Sequence, residues 1–440
     1  MNKMKNLFSK IKNFSIYWRA VFFSQYTYSP LKSIYHFLLA FTGAWFYKWP
    51  SRRIFVVGVT GTKGKSTVLE MINAVFQSAG KKTALFSSVR RQIGDNSILN
   101  DSGNTMPGRF ALQKFLADAV NAGCQYALIE VTSQGVVQHR HRFIEWDAAI
   151  LTNLAPEHIE AHGSFENYRQ AKVNFFRYVA RSVKKSVHFF ISKDDPNRGY
   201  FEKAANQAPA LKKKIHFFAA EDFRSHLKKK ADFFLAEFNL TNAAAAAALA
   251  RSQNVEWFAI EGALNNFDGV PGRVQFVQKE PFAVVVDYAH TPDSLEKIYQ
   301  TVRPEKFRSG WNGELICVLG SCGGGRDKWK LPEMGRIAAQ YCDKIVLTNE
   351  DPYDEDPAEI LRDIEKGFEQ ATMRRLKVNG IFKVFDRKEA LAKAVNLAQK
   401  GDAVVATGKG SESWIHLSRG QKISWNEKKN FEEVLKLTNN

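Results

Sequence analysis

The stretch GVTGTKGKST at residues 58–67 decides the fold of this 440-residue chain. The apolar run over residues 54–59 predicts a buried strand, and apolar residues at helical spacing over 68–79 predict a helix. A glycine-rich turn between a strand and a helix lets backbone N–H groups surround phosphate oxygens, and the helix N-terminus adds partial positive charge. The pattern therefore predicts a loop for a nucleoside triphosphate, in which Lys65 reaches the phosphates and Ser66 binds Mg²⁺.

The composition is that of a soluble globular protein with two or three domains. The hydrophobic share is 45% and the charged share is 25%, as expected for a chain with full cores. The net charge of +18 suits anionic ligands, an acidic membrane surface or nucleic acid. The lysine runs 212–214 and 228–230 are interpreted as solvated loop or helix faces, because no zinc-finger or RNA-binding signature accompanies them. We therefore predict no nucleic-acid partner.

The cysteines show no metal-binding or disulfide pattern. Cys124, Cys317, Cys322 and Cys342 contain no Cys-x-x-Cys pair. Such spacing argues against a zinc ribbon and against a disulfide framework. We predict four free thiols in a reducing compartment.

Residues 1–49 differ from the rest of the chain. The segment 1–32 is basic and aromatic, and the 14 residues 34–47 are almost uniformly apolar. A bilayer span needs about 20 residues, and no signal-peptide cleavage site follows. Three alternatives remain: a helix packed on the domain or on a partner, a peripheral helix on the membrane surface, and a true span. Since the nucleotide loop follows so closely, each alternative predicts a cytoplasmic location, at the inner face of the membrane if the segment touches it.

Strand-like and helix-like segments alternate along the chain. In the first part, the strands are predicted over 126–131 and 148–153, and the helices over 110–122, 165–179 and the alanine-rich 242–250. In the second part, short buried strands are predicted over 283–287, 315–320, 344–348 and 403–407. This alternation predicts an α/β fold with ligands at the carboxyl ends of mostly parallel strands. The predicted units are a helical segment over 1–49, a central P-loop domain over 50–275 and a C-terminal Rossmann-like domain over 276–440.

Nine motifs follow one another over residues 54–414: GVTGTKGKST, EVTSQGVVQHR, LTNLAPEHIEAHGSFENYRQAK, EFNLTN, VPGR, VVDYAHTPDSLEK, SCGGGRDKWKLPEMG, TNEDPYDEDP and GKGSES. Together they closely resemble the Mur ligases, and most specifically the UDP-N-acetylmuramoyl-tripeptide synthetases. The resemblance implies ATP- and Mg²⁺-dependent amide formation through an acyl phosphate. It also implies that meso-diaminopimelate or L-lysine is added to UDP-MurNAc-L-Ala-D-Glu in peptidoglycan precursor synthesis.

The resemblance implies catalytic roles for Lys65, Glu130, His158 and Lys172 and sites for two Mg²⁺ ions. Ser66 and Glu130 match the first metal site, and His158 and Lys172 match the second, where the family lysine is carbamylated. Carbamylation turns an ammonium into a carboxylate-like oxygen ligand for a hard cation. Because the reaction needs a neutral amine, burial would have to lower the pKa of Lys172.

The implied nucleotide site draws on both predicted domains. Its matching residues are Gly61, Thr62, Lys63, Gly64, Lys65, Ser66, Thr67, Asn239, Arg273, Asp287, His290, Arg326 and Lys330. Asn239 matches a position near adenine; the alternative is that Asn239 and Asn242 cap the alanine-rich helix. A site shared between two domains implies that closure assembles it and protects the acyl phosphate from water.

The implied substrate residues form two sets. Those for the muramoyl dipeptide are Thr105, Pro107, Thr132, Gln138 and Arg140, and those for the amino acid are Glu350, Asp351, Tyr353, Gly408 and Glu412. Thr132 stands for the usual serine, and Met106 lacks a hydroxyl of the substrate loop. Tyr353 stands where an arginine binds the distal carboxylate of diaminopimelate. L-Lysine or another amino acid is therefore the alternative, unless Arg326 or another basic residue compensates.

The largest departure from the family lies before residue 50, where a UDP-binding domain is usual. Either fewer contacts hold UDP, or the substrate is carried on a lipid. The alternatives to a muramoyl ligase are a folylpolyglutamate- or cyanophycin-type ligase and a membrane-recruited nucleotide-binding scaffold with weakened catalysis. Joint retention of Lys65, Glu130, His158 and Lys172 argues against the scaffold.

Overall fold

The computed structural model of the protein describes residues 30–100, 104–227, 232–307, 312–372 and 375–438. The predictions for residues 1–29 and for the lysine run 228–230 lie outside the described residues. Within these ranges, strands alternate with helices and form two large sheets.

The first sheet has eight strands: β1 (Phe55–Thr60), β2 (Thr83–Phe86), β3 (Arg90–Ile93), β4 (Asn96–Leu99), β5 (Tyr126–Glu130), β6 (Ala148–Leu151), β7 (Val187–Ser192) and β8 (Lys213–Phe218). Their order is β4-β3-β2-β5-β1-β6-β7-β8. The strands from β2 to β8 in this order pair in parallel, and β3 and β4 form an antiparallel edge. Because β5 and β6 flank β1, their carboxyl ends meet beside the glycine-rich loop.

Ten α-helices belong to this part of the described chain: α1 (Pro30–Phe46), α2 (Lys65–Ser78), α3 (Arg109–Asn121), α4 (Ser133–Val137), α5 (Ile159–His162), α6 (Phe165–Ala180), α7 (Arg198–Ala205), α8 (Glu221–Arg224), α9 (Glu237–Ser252) and α10 (Trp257–Asn265). Helix α2 begins directly after the loop, as predicted. The predicted helices over 110–122 and 165–179 correspond to α3 and α6.

The second sheet has six strands: β9 (Gln275–Gln278), β10 (Ala283–Val286), β11 (Leu315–Leu319), β12 (Lys344–Leu347), β13 (Ile381–Lys383) and β14 (Ala403–Ala406). Their order is β13-β12-β11-β14-β10-β9, with only β9 antiparallel. A hairpin of β15 (Trp414–His416) and β16 (Lys422–Ser424) follows. The helices are α11 (Pro292–Thr301), α12 (Pro304–Phe307), α13 (Lys330–Tyr341), α14 (Pro357–Glu365), α15 (Arg387–Leu397) and α16 (Glu427–Thr438). The predicted α/β class with a Rossmann-like second sheet is confirmed.

One prediction about local structure is wrong, and another is confirmed within a longer helix. Lys213 and Lys214 lie in strand β8 rather than in a loop or a helix. This strand is the edge of the first sheet, where lysine side chains discourage pairing with another chain. The alanine-rich helix is longer than 242–250, because α9 begins at Glu237 and ends at Ser252.

The prediction of four free thiols is also wrong. Cys317 in β11 and Cys342 after α13 form a disulfide, while Cys124 and Cys322 are free and buried. The paired residues are 25 positions apart, and their Cα atoms lie 6.1 Å from each other, within disulfide range. Only the packing of α13 beside β11 brings them together, so their spacing in sequence does not reveal the pair.

Helix α1 packs on the first sheet's helices through one stripe. Ala40 and Ala44 are buried, and Gly43 lets α1 approach Phe110 of α3 closely. The opposite side of α1 leaves large apolar side chains exposed: Leu31, Ile34, Tyr35, Phe37, Leu38, Phe41, Trp45 and Phe46. None of the helices in the described ranges is both long and apolar enough to cross a membrane.

Gly58 in β1 provides a test of the packing beneath the loop. A Cβ atom at this position would overlap the Phe175 ring of α6 and lie 2.8 Å from Trp146. We expect Gly58→Ala to lower the free energy of unfolding by about 1–3 kcal/mol, as overpacking does. Gly262→Ala is the matched control, because a Cβ atom there meets nothing within 4 Å. Urea unfolding that gave both variants the same stability would contradict the packing argument.

Candidate active site

The glycine-rich loop folds into a turn that only small residues allow. Gly64 has φ of 82°, and a Cβ atom there would lie 2.5 Å from the Asn242 Oδ1 atom of α9. Lys65 begins α2, and its Nζ atom donates to the Thr62 carbonyl at 2.9 Å. The amine of Lys65 also lies 3.8 Å from Glu130. The loop therefore has the open backbone cradle and the cation that a polyphosphate requires.

A carboxylate at the end of β5 faces the start of α2. The Ser66 hydroxyl donates to Glu130 Oε2 at 2.8 Å and lies 2.9 Å from the Ser88 hydroxyl. The Ser88 backbone N–H donates to the same Glu130 oxygen at 2.9 Å. Two hydrogen bonds thus position a buried carboxylate beside a hydroxyl, an oxygen-donor pair that suits Mg²⁺.

Lys172 is a buried lysine directed at the glycine-rich loop. Its side chain is 2% exposed, and its Nζ atom donates to the Gly61 carbonyl at 2.8 Å and lies 4.7 Å from the Tyr168 ring centre. Burial, followed by repulsion from Lys65, holds the pKa of Lys172 well below its usual range. Burial therefore favours the neutral form of the amine, which is the form that carbamylation needs.

His158 is close enough to Lys172 for their charges to interact, but its side chain is more exposed to solvent. Its imidazole side chain is 52% exposed and lies 4.0 Å from Glu157. The backbone of His158 is left-handed, with φ of 55°. Desolvation lowers the pKa of His158, although Glu157 opposes this effect. A neutral, accessible imidazole can act as a metal ligand.

Glu157 connects the glycine-rich loop with the second sheet. The Lys63 Nζ atom donates to Glu157 Oε1 at 2.8 Å, and the His290 Nε2 atom lies 3.1 Å from each of these atoms. Burial disfavours the Glu157 carboxylate, but Lys63, His290 and His158 outweigh it and hold its pKa well below its usual range. Burial lowers the pKa of His290 to about 3 and that of Lys63 to about 8.

Two more hydrogen bonds join the same two parts of the chain, and one holds His290 within the second part. Lys330 donates to the His290 carbonyl at 3.1 Å. The backbone N–H of Glu160 donates to Asp327 Oδ1 at 2.9 Å, and the Lys328 N–H donates to Glu160 Oε1 at 3.0 Å. The predicted residues of both halves therefore lie on facing loops.

Asp287, at the end of β10, accepts hydrogen bonds from the backbone on both sides of the strand. Its two carboxylate oxygens accept from the Val274 and Ala289 backbone N–H groups, both at 2.8 Å. Burial raises the pKa of Asp287, and Arg273 opposes the rise. The Arg273 guanidinium lies 4.1 Å from the Tyr288 ring centre. Asp287 thus orders the segment that carries Arg273, Tyr288 and His290.

The two asparagines of α9 do not cap it. Because α9 begins at Glu237, Asn239 and Asn242 lie inside the helix, and the capping alternative is wrong. Asn239 donates to the Phe233 carbonyl at 2.8 Å and accepts from Asn242 at 3.3 Å. Asn242 contacts the glycine-rich loop at Gly64, so this pair links α9 to the predicted nucleotide site.

A second carboxylate cluster lies at the carboxyl ends of β11, β12 and β14. Glu350 is buried, accepts from the Cys322 thiol at 2.9 Å, and has an Oε2 atom without a partner. Burial raises the pKa of Glu350 and holds the pKa of Cys322 well above its usual range. A Cβ atom on Gly408 would overlap Glu350. Only glycine therefore fits at this position of the GKGSES motif.

Lys409 organises the remaining acids of this cluster. Its buried Nζ atom donates to both oxygens of Asp351, at 2.9 and 3.0 Å, and to Glu412 at 2.6 Å. Glu412 also accepts from the Tyr288 hydroxyl at 2.8 Å. Tyr288 therefore connects the predicted amino-acid site with the segment that contacts the glycine-rich loop.

Tyr353 and Arg326 lie together at the open end of this cluster. Tyr353 has φ of 52° and stacks on His416 with ring centres 5.1 Å apart. The exposed Arg326 donates to the Tyr353 hydroxyl at 3.4 Å, and its guanidinium lies 5.8 Å from the ring centre. An arginine is thus present next to the position where the motif lacks one.

The predicted dipeptide residues form a hydrogen-bonded group around the loop after α4. Gln138 Oε1 accepts from Arg140 at 2.8 and 3.0 Å, and the Gln138 carbonyl accepts from Arg109 at 2.8 Å. Arg140 also donates to the Met106 carbonyl. The Met106 side chain is 1% exposed, so it belongs to the core and not to a substrate surface.

Thr132, Thr105 and Pro107 have different surroundings. The Thr132 hydroxyl caps α4 by accepting from the Gly135 N–H at 3.0 Å. Thr105 is half-buried and Pro107 is buried in the loop before α3. Thr105 and Pro107 flank Met106, whose carbonyl accepts from Arg140, and the Thr132 hydroxyl is accounted for by its bond to Gly135.

Several residues of the site were missed in the sequence. Ser88, Tyr168 and Arg109 act through side-chain contacts that come from other elements, and no local pattern distinguishes them. Glu157 and Lys409 lie inside quoted motifs, so their position next to His158 and Gly408 was a usable signal. Glu157 matters because it contacts Lys63 and His290 from the two parts of the chain, and Lys409 because it pairs with two acids of the second part.

The described residues contain no group of three or more His, Cys, Asp or Glu side chains suited to a metal ion. The side chains that fit Mg²⁺ are the Ser66–Glu130 pair; Lys172 would supply an oxygen ligand beside His158 only as the carbamate that the resemblance implies. Such sparse protein ligation is usual for Mg²⁺, which keeps waters and substrate phosphates as ligands.

Two family models match this chain. The Mur ligase middle domain matches residues 59–250, and the Mur ligase glutamate ligase domain matches residues 272–410. The chain therefore belongs to the Mur ligase family and is an ATP-dependent acid–amino-acid ligase. The resemblance predicted from the nine motifs is confirmed.

Named relatives extend over most of the chain. The UDP-N-acetylmuramoyl-L-alanyl-D-glutamate–2,6-diaminopimelate ligase of Syntrophomonas wolfei is 35% identical over 414 residues, which are 90% of this chain and 81% of that protein. The UDP-N-acetylmuramyl-tripeptide synthetase of Roseiflexus sp. is 35% identical over 415 residues, covering 88% of this chain and 80% of that protein.

Solved structures share the fold. A UDP-N-acetylmuramoyl-L-alanyl-D-glutamate–2,6-diaminopimelate ligase has a TM-score of 0.59 at 25% identity, covering 92% of this chain and 83% of that one. The Mycobacterium tuberculosis folylpolyglutamate synthase complexed with ADP has a TM-score of 0.63 at 14% identity, covering 89% and 95%. At 14% identity the likeness shows the fold alone, and it does not favour the folylpolyglutamate alternative.

Proposed function

We propose that this ligase joins a carboxylate of UDP-MurNAc-L-Ala-D-Glu to an amino group of meso-diaminopimelate in peptidoglycan precursor synthesis. The names of the 35% identical relatives support this substrate pair. The observation that carries the chemistry is the buried amine of Lys172, which contacts the glycine-rich loop at Gly61. A buried cation is costly, so burial favours the neutral amine of Lys172, which is the form that can become a carbamate.

The proposed reaction has two steps. A substrate carboxylate oxygen attacks the γ-phosphorus of ATP, ADP leaves, and an acyl phosphate forms. The amine of the incoming amino acid then attacks the acyl carbon and loses a proton, and phosphate leaves. Two anions must approach each other in the first step, so fixed cations lower its barrier. We assign this role to Lys65 and Lys63 of the loop and to Arg273 across the cleft.

Mg²⁺ would be held by Ser66 and Glu130 at one position and by His158 and carbamylated Lys172 at the other. When bound, the ions neutralise the phosphate oxygens and polarise the phosphoryl group. Other residues of this chain position these ligands: the Ser88 N–H donates to Glu130, and Tyr168 packs against Lys172. The Lys63–Glu157–His290 contact closes the two sheets' loops over the nucleotide and excludes water from the acyl phosphate.

Lys172→Ala tests the carbamate. We expect ligation to fall roughly a hundredfold or more, because a metal position is lost, while ATP binding changes little. Short carboxylate anions added to the variant should restore part of the activity. Lys184→Ala is the control, because Lys184 pairs with Asp147 at 3.0 Å, outside the loop. Full activity of Lys172→Ala in a phosphate-release assay would remove the metal role.

The choice of meso-diaminopimelate over L-lysine rests on Arg326. The two amino acids differ by the distal carboxylate, which a guanidinium binds well. Arg326 contacts Tyr353 at the open end of the acid cluster. We propose that Arg326 replaces the arginine that the motif lacks at position 353, and that Glu412 receives the distal amine.

Arg326→Ala should separate the two amino acids. We expect the KM for meso-diaminopimelate to rise roughly tenfold to a hundredfold, as for loss of a charged hydrogen bond. The low activity expected with L-lysine should stay unchanged. The control is Arg362→Ala, because Arg362 lies on the exposed side of α14, a helix of the second part of the chain. Wild-type enzyme that released phosphate with L-lysine but not with meso-diaminopimelate would overturn the assignment.

We also propose that helix α1 lies on the inner surface of an anionic membrane, which places the enzyme in the cytoplasm at that face. Eight large apolar side chains of α1 are exposed, more than an isolated monomer usually leaves in one patch. The chain has no Asp or Glu before Glu70, but it has many lysines and arginines there. Aromatic residues with nearby cations suit the headgroup region, so an anionic bilayer is the occupant that matches both properties.

Leu38→Ser combined with Trp45→Ser tests this surface in the full chain. We expect partition onto vesicles of phosphatidylcholine and phosphatidylglycerol to weaken roughly tenfold to a hundredfold, because two apolar side chains are lost. The control is Phe258→Ser combined with Val378→Ser, which removes apolar side chains that are 84% and 93% exposed elsewhere. Equal weakening by both pairs, or no vesicle binding by the wild type, would reject the membrane contact.

A further inference from the structure

A cavity of about 400 Å³ lies between the loop after α4 and helix α6. One end of the cavity adjoins the candidate active site, because Ala171 of α6 lines it next to Lys172, and the other end lies at Arg181. Lys172 and Arg181 are nine residues apart on and just after α6, which is about 13 Å along a helix axis. The lining residues that bear on its chemistry are His139, His141, Arg142, Arg177 and Arg181.

The cavity concentrates positive charge without a matching acid. None of the carboxylates in the described ranges forms an ion pair with Arg142, Arg177 or Arg181. Arg177 donates to the Asn174 amide oxygen at 2.9 Å. Glu145 is the nearby acid, and its carboxylate accepts from the Val183 backbone N–H at 3.4 Å. Three guanidinium groups around one cavity therefore favour an anion.

Buried nitrogen atoms in the cavity wall also lack partners. The Nδ1 atoms of His139 and His141 and the Nε atom of Arg142 are buried without a hydrogen bond. The His141 side chain is 4% exposed. The donors that face the cavity are the guanidinium N–H groups of Arg142, Arg177 and Arg181, and an anion with several oxygens would accept from them. Phosphate, which guanidinium groups bind in a bidentate manner, matches this set.

The cavity adjoins the exposed apolar surface of α1. The Phe37 ring of α1 lies 5.8 Å from the Arg142 guanidinium and 6.1 Å from the His139 ring. Ser33 of the same helix lies 2.7 Å from His139 Nε2. One side chain of the apolar surface thus touches two members of the cationic wall. A ligand that covers both regions has an anionic head and an apolar tail.

We propose that this cavity binds the phosphate group of an anionic phospholipid while α1 lies in the bilayer interface. The proposal rests on the membrane contact of α1 proposed above and adds a headgroup site to it. His139 and His141 flank Arg140, which we assign to the muramoyl dipeptide. Binding of the headgroup would therefore hold the substrate loop at the membrane surface.

Arg177→Gln combined with Arg181→Gln in the full chain tests the site. We expect partition onto vesicles of equal phosphatidylcholine and phosphatidylglycerol to weaken roughly tenfold or more, and partition onto phosphatidylcholine alone to stay unchanged. The control is Arg198→Gln combined with Lys203→Gln, which removes two exposed charges from the neighbouring α7. The control should weaken partition less than threefold. Thermal unfolding and ligation in the absence of vesicles should match the wild type for both pairs.

The outcomes separate the two proposals. If the Arg177 and Arg181 pair binds anionic vesicles as tightly as the wild type, the headgroup site is wrong and the membrane contact of α1 stands. If both charge pairs weaken binding equally, diffuse charge explains the result and the site is wrong. Inorganic phosphate gives a third arm without vesicles. Phosphate could stabilise the wild type but not the Arg177 and Arg181 variant, while the wild type fails to bind vesicles. That result would make the cavity a site for free anions and overturn the lipid assignment.

Discussion

The carboxylate of Glu157 is the contact on which the arrangement of the site depends. It lies between Lys63 of the glycine-rich loop and His290 of the second sheet, so one acid joins the two halves of the cleft. Its pKa is held well below the usual range, chiefly by Lys63, so a negative charge stays opposite the Lys63 amine. The Lys330 and Glu160 hydrogen bonds reinforce the same junction. A ligase that must exclude water from an acyl phosphate benefits from such a junction, because closure then brings cations to the nucleotide from both sides.

The site contains buried charges that a purely structural protein would avoid. Lys172 is buried without a carboxylate as its hydrogen-bond partner, and Glu350 has an unpaired buried oxygen. Both conditions cost free energy. In the proposed function, Lys172 is carbamylated and Glu350 binds the incoming amino acid. The cost in stability thus occurs at the two places where the reaction needs groups that a ligand or a modification will complete.

The sequence predicted most of the fold because the signals were local. The strand–loop–helix unit around residues 58–67, helices α3 and α6 and the strands that carry the second sheet follow from apolar periodicity. The motifs identified the family, which the 35% identical relatives bear out. Local reasoning was wrong where tertiary contacts decided: the Cys317–Cys342 disulfide, the edge strand that begins at Lys213 and the interior position of Asn242. In each case, the deciding neighbour is distant in sequence.

Residue types and their spacing by themselves determined the α/β class, the phosphate-binding loop and membership of the ligase family, because these depend on backbone geometry and short motifs. Only the tertiary structure decided that Arg326 lies beside Tyr353, that Met106 belongs to the core, and that Arg142, Arg177 and Arg181 surround one cavity next to α1. The physical reason is that side-chain proximity across elements depends on packing between distant segments, and the periodicity of one segment carries no information about which charges its neighbours will present.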